Sequence, residues 1–292
     1  MRDAVETLMT NPAELSLFVR LVEALERIAP PLPSSGLEVD APGYVWRPDA
    51  NTLDAVKRIE RVDLSLLRTI DAQRTTLLAN TRAFAEGKPA NNALLWGARG
   101  TGKSSLVKAV HAEVRREAQS GGRCLALVEV QRDDVGTLAR LLALLALEPH
   151  RRFIIFCDDL SFDAGEADYK SLKAVLDGGI AGRPANVIVY ATSNRRHLLA
   201  REMIENERAN AIHASEATEE KVSLSDRFGL SLGFHNVDQE GYLTIVHSHA
   251  AAIGIKVDPT ELERRALQWS KERGSRSGRT ARQFIQHLQA AG

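Results

Sequence analysis

The spacing of apolar positions divides the chain into three stretches. In the first, NPAELSLFVRLVEALERI, residues Leu15, Phe18, Val22, Leu25 and Ile28 recur at three- and four-residue intervals, the period of one helix face. The run APPLPSSG ends that pattern, because proline fixes its own φ and has no amide to donate. A second long helix is predicted from about Thr52 to Glu86, with an interruption near Asp63. The middle stretch changes period. ALLW, CLALVEV, RFIIFC and NVIVYAT are apolar almost throughout. Between them lie KSSLVKAVHAEVRREAQS, DVGTLARLLALLAL and EADYKSLKAVLD, which read as helices. Strands buried on both faces and joined by helices predict a parallel sheet covered on both sides. LSLGF over 230–234 is the expected last strand, which makes five.

Beyond Asn236 only helical spacing remains, in EGYLTIVHSHAAAI, PTELERRALQWSKER and RTARQFIQHLQAA. The predicted organisation is an N-terminal helical region over 1–68, an αβα domain over 69–235 and an all-helical unit over 236–292. Residues 205–222 are polar and poor in large apolar groups, and are expected to form an exposed insertion.

Composition adjusts this picture only slightly. A chain of 292 residues suits two domains, and 44% hydrophobic with 26% charged residues is ordinary for a globular protein. Formal net charge is zero, so bulk electrostatics gives no general pull on nucleic acid; only local basic stretches such as KERGSRSGR at 271–279 could touch a phosphate backbone. The two cysteines, Cys124 and Cys157, sit in separate apolar strands and read as packing. His247 and His249 alternate on a helix and diverge too far to share a metal. No apolar run reaches the roughly 20 residues that span a bilayer, and the first residues lack a secretory pattern. A cytoplasmic protein without membrane association is expected.

Chemistry concentrates in the middle stretch. Gly97, Ala98, Arg99, Gly100, Thr101, Gly102, Lys103 and Ser104 fit G-x-x-x-x-G-K-[ST], with Ser105 next. The match follows a predicted strand and opens a predicted helix, the context its mechanism requires. Glycines let successive backbone amides close around a phosphate, and the helix N-terminus adds unpaired donors. Lys103 would reach the β and γ phosphates, and Ser104 would ligate Mg²⁺. One strand over, FIIFCDD ends in Asp158 and Asp159. Carboxylates at a strand's C-terminal edge sit where ligands bind in open α/β sheets. Asp158 is expected to hold the metal and Asp159 to orient or deprotonate water. Asn194, after VIVYATS, is placed to contact the γ-phosphate or that water, although it reads equally well as a turn asparagine. Thr192 and Ser193 are weaker candidates.

Together these residues resemble an AAA+ ATPase over roughly residues 70–292. The resemblance implies a five-stranded αβα domain with a helical lid, binding ATP and Mg²⁺. It matches Walker A to Gly97–Ser104, Walker B to FIIFCDD and sensor 1 to Asn194. The family usually carries glutamate where this chain has Asp159, one methylene shorter, which implies slow turnover. SLSDRFGL resembles the segment bearing an arginine finger and so implies Arg227 acting in trans at a subunit boundary of a ring or dimer. SGRTARQFIQHL resembles the sensor 2 helix, with Arg282 the better fit and Arg279 the other choice. Both Arg227 and Arg282 also read as ordinary ion-pair arginines. More narrowly, GARGTGKSSLVKA, DDLSF and YATSNRRHLL are similar to a bacterial AAA+-like family known as domain of unknown function 815.

The expected function is an ATP-driven switch or motor working through oligomers on a partner the sequence does not identify. A monomeric P-loop kinase or nucleotide-dependent transferase, and a nucleotide-binding scaffold with little hydrolysis, are the alternatives. The aromatic–apolar–glycine loop that similar unfoldases use to grip polypeptide does not follow the second strand, which disfavours threading; a nucleic-acid partner stays open, although no DNA-reading element is present.

Overall fold

A computed structural model of the chain describes residue 20 and residues 37–38, 41–161, 167–178, 182–194 and 225–291. Apart from residue 20, which is helical, the helical pattern expected over residues 1–30 lies outside the described residues, as do the polar segment 205–222 and the basic residues Arg195, Arg196 and His197.

The expected strands form where the apolar runs place them. β1 (Gly43–Arg47), β2 (Thr52–Val56), β3 (Ala93–Gly97), β4 (Cys124–Val130), β5 (Arg151–Cys157), β6 (Val187–Ser193) and β7 (Leu230–Phe234) make one sheet in the order β2-β1-β4-β5-β6-β3-β7. β4, β5, β6, β3 and β7 are parallel neighbours, which is the predicted five-stranded core. Helices α1 (Asp71–Ala85), α2 (Lys103–Ser120), α3 (Leu138–Ala146) and α4 (Ala167–Asp177) connect and cover it.

Alternate residues of each strand serve opposite faces, so continuous apolar runs are required. Leu94, Val128, Phe153, Ile155 and Val189 pack with Leu138, Leu141 and Leu172 of α3 and α4. Leu95, Leu127, Ile154, Phe156 and Tyr190 pack with Leu77 and Phe84 of α1 and Leu106, Val110 and Val114 of α2. Each fully buried large side chain contributes about 1.5–3 kcal/mol by leaving water.

The sheet has seven strands because a hairpin over Gly43–Val56 adds two, its second strand taking the start of the region predicted to be helical from Thr52. β1 pairs antiparallel with β2 and parallel with β4. Tyr44 and Trp46 are buried in the core, and Trp46 Nε1 donates to Thr137 Oγ1 at 2.8 Å. Arg151 donates to the Tyr44 hydroxyl at 2.7 Å. These long-range contacts outweigh the local helical spacing. A helix begins only at Asp71; before it, residues 57–63 are irregular and Leu64–Leu66 form one 3₁₀ turn.

At the C-terminal end, α5 (Gln239–Ala252), α6 (Pro259–Glu272) and α7 (Gly278–Ala291) pack around their own core of Tyr242, Val246, Leu262, Ala266 and Phe284. Asp238 caps α5 through the Gly241 amide, and Asp258 caps α6 through the amides of Thr260 and Glu261. Cys157 is buried, Cys124 is half-buried at a strand start, and both are free thiols. No helix among the described residues is long and apolar enough to cross a membrane.

Candidate nucleotide-binding site

The loop between β3 and α2 lies beside the C-terminal ends of β5 and β6, since β3 neighbours β6 and β6 neighbours β5. Gly97 has φ +133°, and a Cβ there would drive into the Phe234 carbonyl on β7. Only glycine fits so close an approach. Gly100 has φ +76°, and its missing Cβ would lie 2.7 Å from Ser277 Oγ, the side chain that accepts from the Thr280 amide in the first turn of α7. The α7 backbone also reaches the loop, since the Arg279 amide donates to the Gly100 carbonyl at 3.4 Å.

Lys103 opens α2 and is buried. Its ammonium donates to the carbonyls of Gly97 at 2.8 Å and Ala98 at 2.7 Å, and to Asn194 Oδ1 at 3.2 Å. Burial pulls its pKa below the ordinary lysine value, against the opposing influence of Asp159 and then Asp158. An anion that reached Lys103 would have to displace these carbonyl acceptors.

The polar net continues across three strands. Ser104 Oγ donates to Asp158 Oδ1 at 2.6 Å. Thr192 Oγ1 donates to the same carboxylate oxygen and accepts from the Asp159 amide at 2.9 Å. Asn194 Nδ2 donates to Asp159 Oδ1. Asp159 itself has φ +51°, a left-handed conformation that aspartate tolerates better than most side chains do. That geometry gives a local reason for the short acid at this position.

These groups meet at one cleft of about 600 Å³. Its polar lining is Arg99 to Ser105, Asp158, Asp159, Thr192 and Asn194, while Gly97 and Ala98 are not part of the lining. Its apolar lining is Val62, Leu66, Leu67, Ile70 and Ile245, with Leu67 and Ile70 beside Gly102 of the loop. Arg279 and Arg282 of α7 also line it. Arg282 donates to Glu60 Oε1 at 3.0 Å. Ser104 and Asp158 offer two hard oxygen ligands, a set that suits Mg²⁺ completed by water and phosphate oxygens. Among the described residues no group of three or more His, Cys, Asp and Glu could hold a metal by itself.

Sequence reasoning missed or underrated four contributors. Thr192 links both aspartates, yet looks like a routine strand-end threonine. His249 lines the cleft from α5, and burial, then Arg282, lowers its pKa. Arg68 also lines the cleft and donates to Ser248 of α5 at 2.9 Å. Most of the apolar lining, Val62, Leu66, Leu67 and Ile70, comes from the stretch just before α1, where no motif marks it. Two arginines fall elsewhere. Arg227 is absent from the cleft lining and pairs with Asp177 at the end of α4. Arg183 is likewise absent from the lining and is tied to Asn92 and to the Ala90 carbonyl near the start of β3.

The family described as Protein of unknown function (DUF815) matches residues 39–292. No curated protein matches the chain. Among solved structures, the chain is similar to the Thermotoga maritima RuvB Holliday junction branch migration motor, at 14% identity and a TM-score of 0.43, over 76% of this chain and 73% of that one. It is also similar to the Aeropyrum pernix ORC2 protein in its ADPNP–ADP complexes, at 12% identity and a TM-score of 0.47, over 79% and 70%. A third similar structure is the Aeropyrum pernix ORC1 protein in complex with DNA, at 16% identity and a TM-score of 0.45, over 78% and 69%.

Proposed function

The chain belongs to the DUF815 family, and we propose that it is a Mg²⁺-dependent ATP-binding protein of AAA+ type that hydrolyses ATP slowly and acts through an assembly of like subunits. The observation that carries this reading is the meeting of Lys103, Ser104 and Asp158 in one cleft, with Ser104 Oγ 2.6 Å from Asp158. The apolar side chains in the lining suit a base, and the loop amides with Lys103 suit a triphosphate. Ser104 and Asp158 would hold Mg²⁺, which supplies charge neutralisation on the phosphate oxygens.

In hydrolysis a water oxygen bonds to the γ-phosphorus while the bond to the β–γ bridging oxygen breaks. Asp159 takes the water proton, and Asn194 fixes the Asp159 carboxylate through its Nδ2. Lys103 stabilises charge on the leaving side. The short Asp159 side chain, already bonded to Asn194, supports low turnover and keeps a nucleotide-binding scaffold as the second reading.

Arg227 lies outside its own chain's cleft, which supports a role on a neighbouring subunit's nucleotide. The ATPase rate per subunit is expected to rise with protein concentration, and Arg227→Ala is expected to abolish that rise while leaving nucleotide binding to the monomer unchanged. A rate per subunit independent of concentration in the unmodified chain would instead favour a self-contained monomer.

A further inference from the structure

Thr192 sits just past the parallel pairing of β5 and β6. The last register pair is Cys157 with Ala191, so Thr192 lies beside the turn by which the chain leaves β5. It is 1% exposed and holds that turn at three successive residues. Its Oγ1 donates to Asp158 Oδ1 and accepts from the Asp159 amide at 2.9 Å, and its carbonyl accepts from the Leu160 amide at 2.7 Å. Leu160 is buried in the core, which anchors the far end of the turn.

The direction of these bonds follows from the groups themselves. An amide N–H can only donate, so the hydroxyl must accept from Asp159, and its single proton is left for the Asp158 carboxylate. β-Branching makes threonine stiff about χ1, so the oxygen has little freedom to choose other partners. Asp159 sits at φ +51°, a conformation that persists where surrounding contacts fix it, and the bond from its amide to Thr192 is such a contact. Both hydroxyls that reach Asp158, those of Ser104 and Thr192, use Oδ1, and among the described residues no donor uses Oδ2. Ser104 belongs to the first turn of α2, next to the phosphate loop, whereas Thr192 belongs to the sheet.

We propose that Thr192 is a positioning residue: its hydroxyl holds the Asp158 carboxylate in place for Mg²⁺ and, through the Asp159 amide, fixes the turn that carries the base. The inference rests on the reading of the cleft as a Mg²⁺–ATP site. It makes one buried hydroxyl responsible for both metal affinity and hydrolysis, although that hydroxyl is neither the metal ligand nor the base.

The test uses the full chain with Thr192→Val, which keeps the shape and removes the hydroxyl, and with Thr192→Ser, which keeps the hydroxyl. The Leu160 bond runs to the main-chain carbonyl and is retained in both. Affinity for the non-hydrolysable analogue ADPNP is measured by calorimetry in EDTA and in excess Mg²⁺. Mn²⁺ binding to the ADPNP complex is followed by electron paramagnetic resonance, and hydrolysis by single turnover of ATP at saturating Mg²⁺. Thr192→Val is expected to leave ADPNP affinity in EDTA within about twofold, to weaken Mn²⁺ at least about fivefold and to slow hydrolysis at least about tenfold. Thr192→Ser should restore metal affinity and rate to within about threefold of the unmodified chain.

Metal binding and hydrolysis unchanged in Thr192→Val would overturn this role and leave the reading of the cleft intact. Equal loss of ADPNP affinity with and without metal would show general distortion of the cleft, and a serine chain as impaired as the valine chain would show that the methyl group is what matters; either overturns the role. If the valine chain does not fold, Thr192→Ala takes its place in the same comparison. Failure of the unmodified chain to bind ADPNP at about 1 mM would overturn the Mg²⁺–ATP reading itself, and this role with it.

Discussion

On the sheet side of the cleft, Lys103, Ser104, Asp158, Asp159, Thr192 and Asn194 form a continuous hydrogen-bonded net across the ends of adjacent strands. On the lid side, Arg279, Arg282 and His249 come from two helices with a core of their own. Among the described residues, polar ties from that side to the rest include Arg282 to Glu60, Arg68 to Ser248 and the Arg279 amide to the Gly100 carbonyl, beside packing of α5 against Thr69. The difference separates two tasks. A net anchored in a buried sheet keeps reacting groups in register, whereas a few polar ties near solvent can exchange partners at small cost.

The strongest break of the comparison is Lys103→Ala. Removing the buried ammonium should weaken ATP and ADP at least about 100-fold by equilibrium fluorescence binding, since buried charge-assisted bonds are worth several kcal/mol. Unchanged affinity would mean that the sheet side does not hold phosphate. Asp159→Asn comes next. It should keep affinity within a few-fold but lower single-turnover hydrolysis by about 100-fold, within the range for a lost general base. A normal rate would move the base elsewhere. The smallest effect belongs to the lid side. Glu60 is 86% exposed in its pair with Arg282, so Glu60→Gln should tighten ATP by no more than about fivefold as Arg282 is released. The gain should vanish in an Arg282→Ala background. Persistence there would show that Glu60 acts on the cleft by another route.

Much of the sheet side was legible because its chemistry sits at fixed short spacings. Gly97 to Ser104 declare a loop between strand and helix, and Asp158 and Asp159 close an apolar run. The strands were legible because each is buried on both faces, and the C-terminal helices because each carries a helical period ahead of an acidic cap or a turn. The hairpin β1–β2 was not. Thr52–Val56 is short, with only partial burial, and becomes a strand because Tyr44 and Trp46 of its partner find a place in a core built by distant residues. Thr192, Arg68 and His249 were hidden for a related reason. Their roles depend on which chain ends the tertiary packing brings together, and no local spacing encodes that. Asp159 shows the reverse: its departure from glutamate was plain in the sequence, while the left-handed turn that suits aspartate there emerged only in three dimensions.

The near-contact between Gly100 and Ser277 makes the phosphate loop a feeler gauge for the last helix. At that spacing, any movement of the loop toward α7 would meet the start of that helix. A methyl group at position 100 would press on Ser277 and would also strain a backbone held at φ +76°.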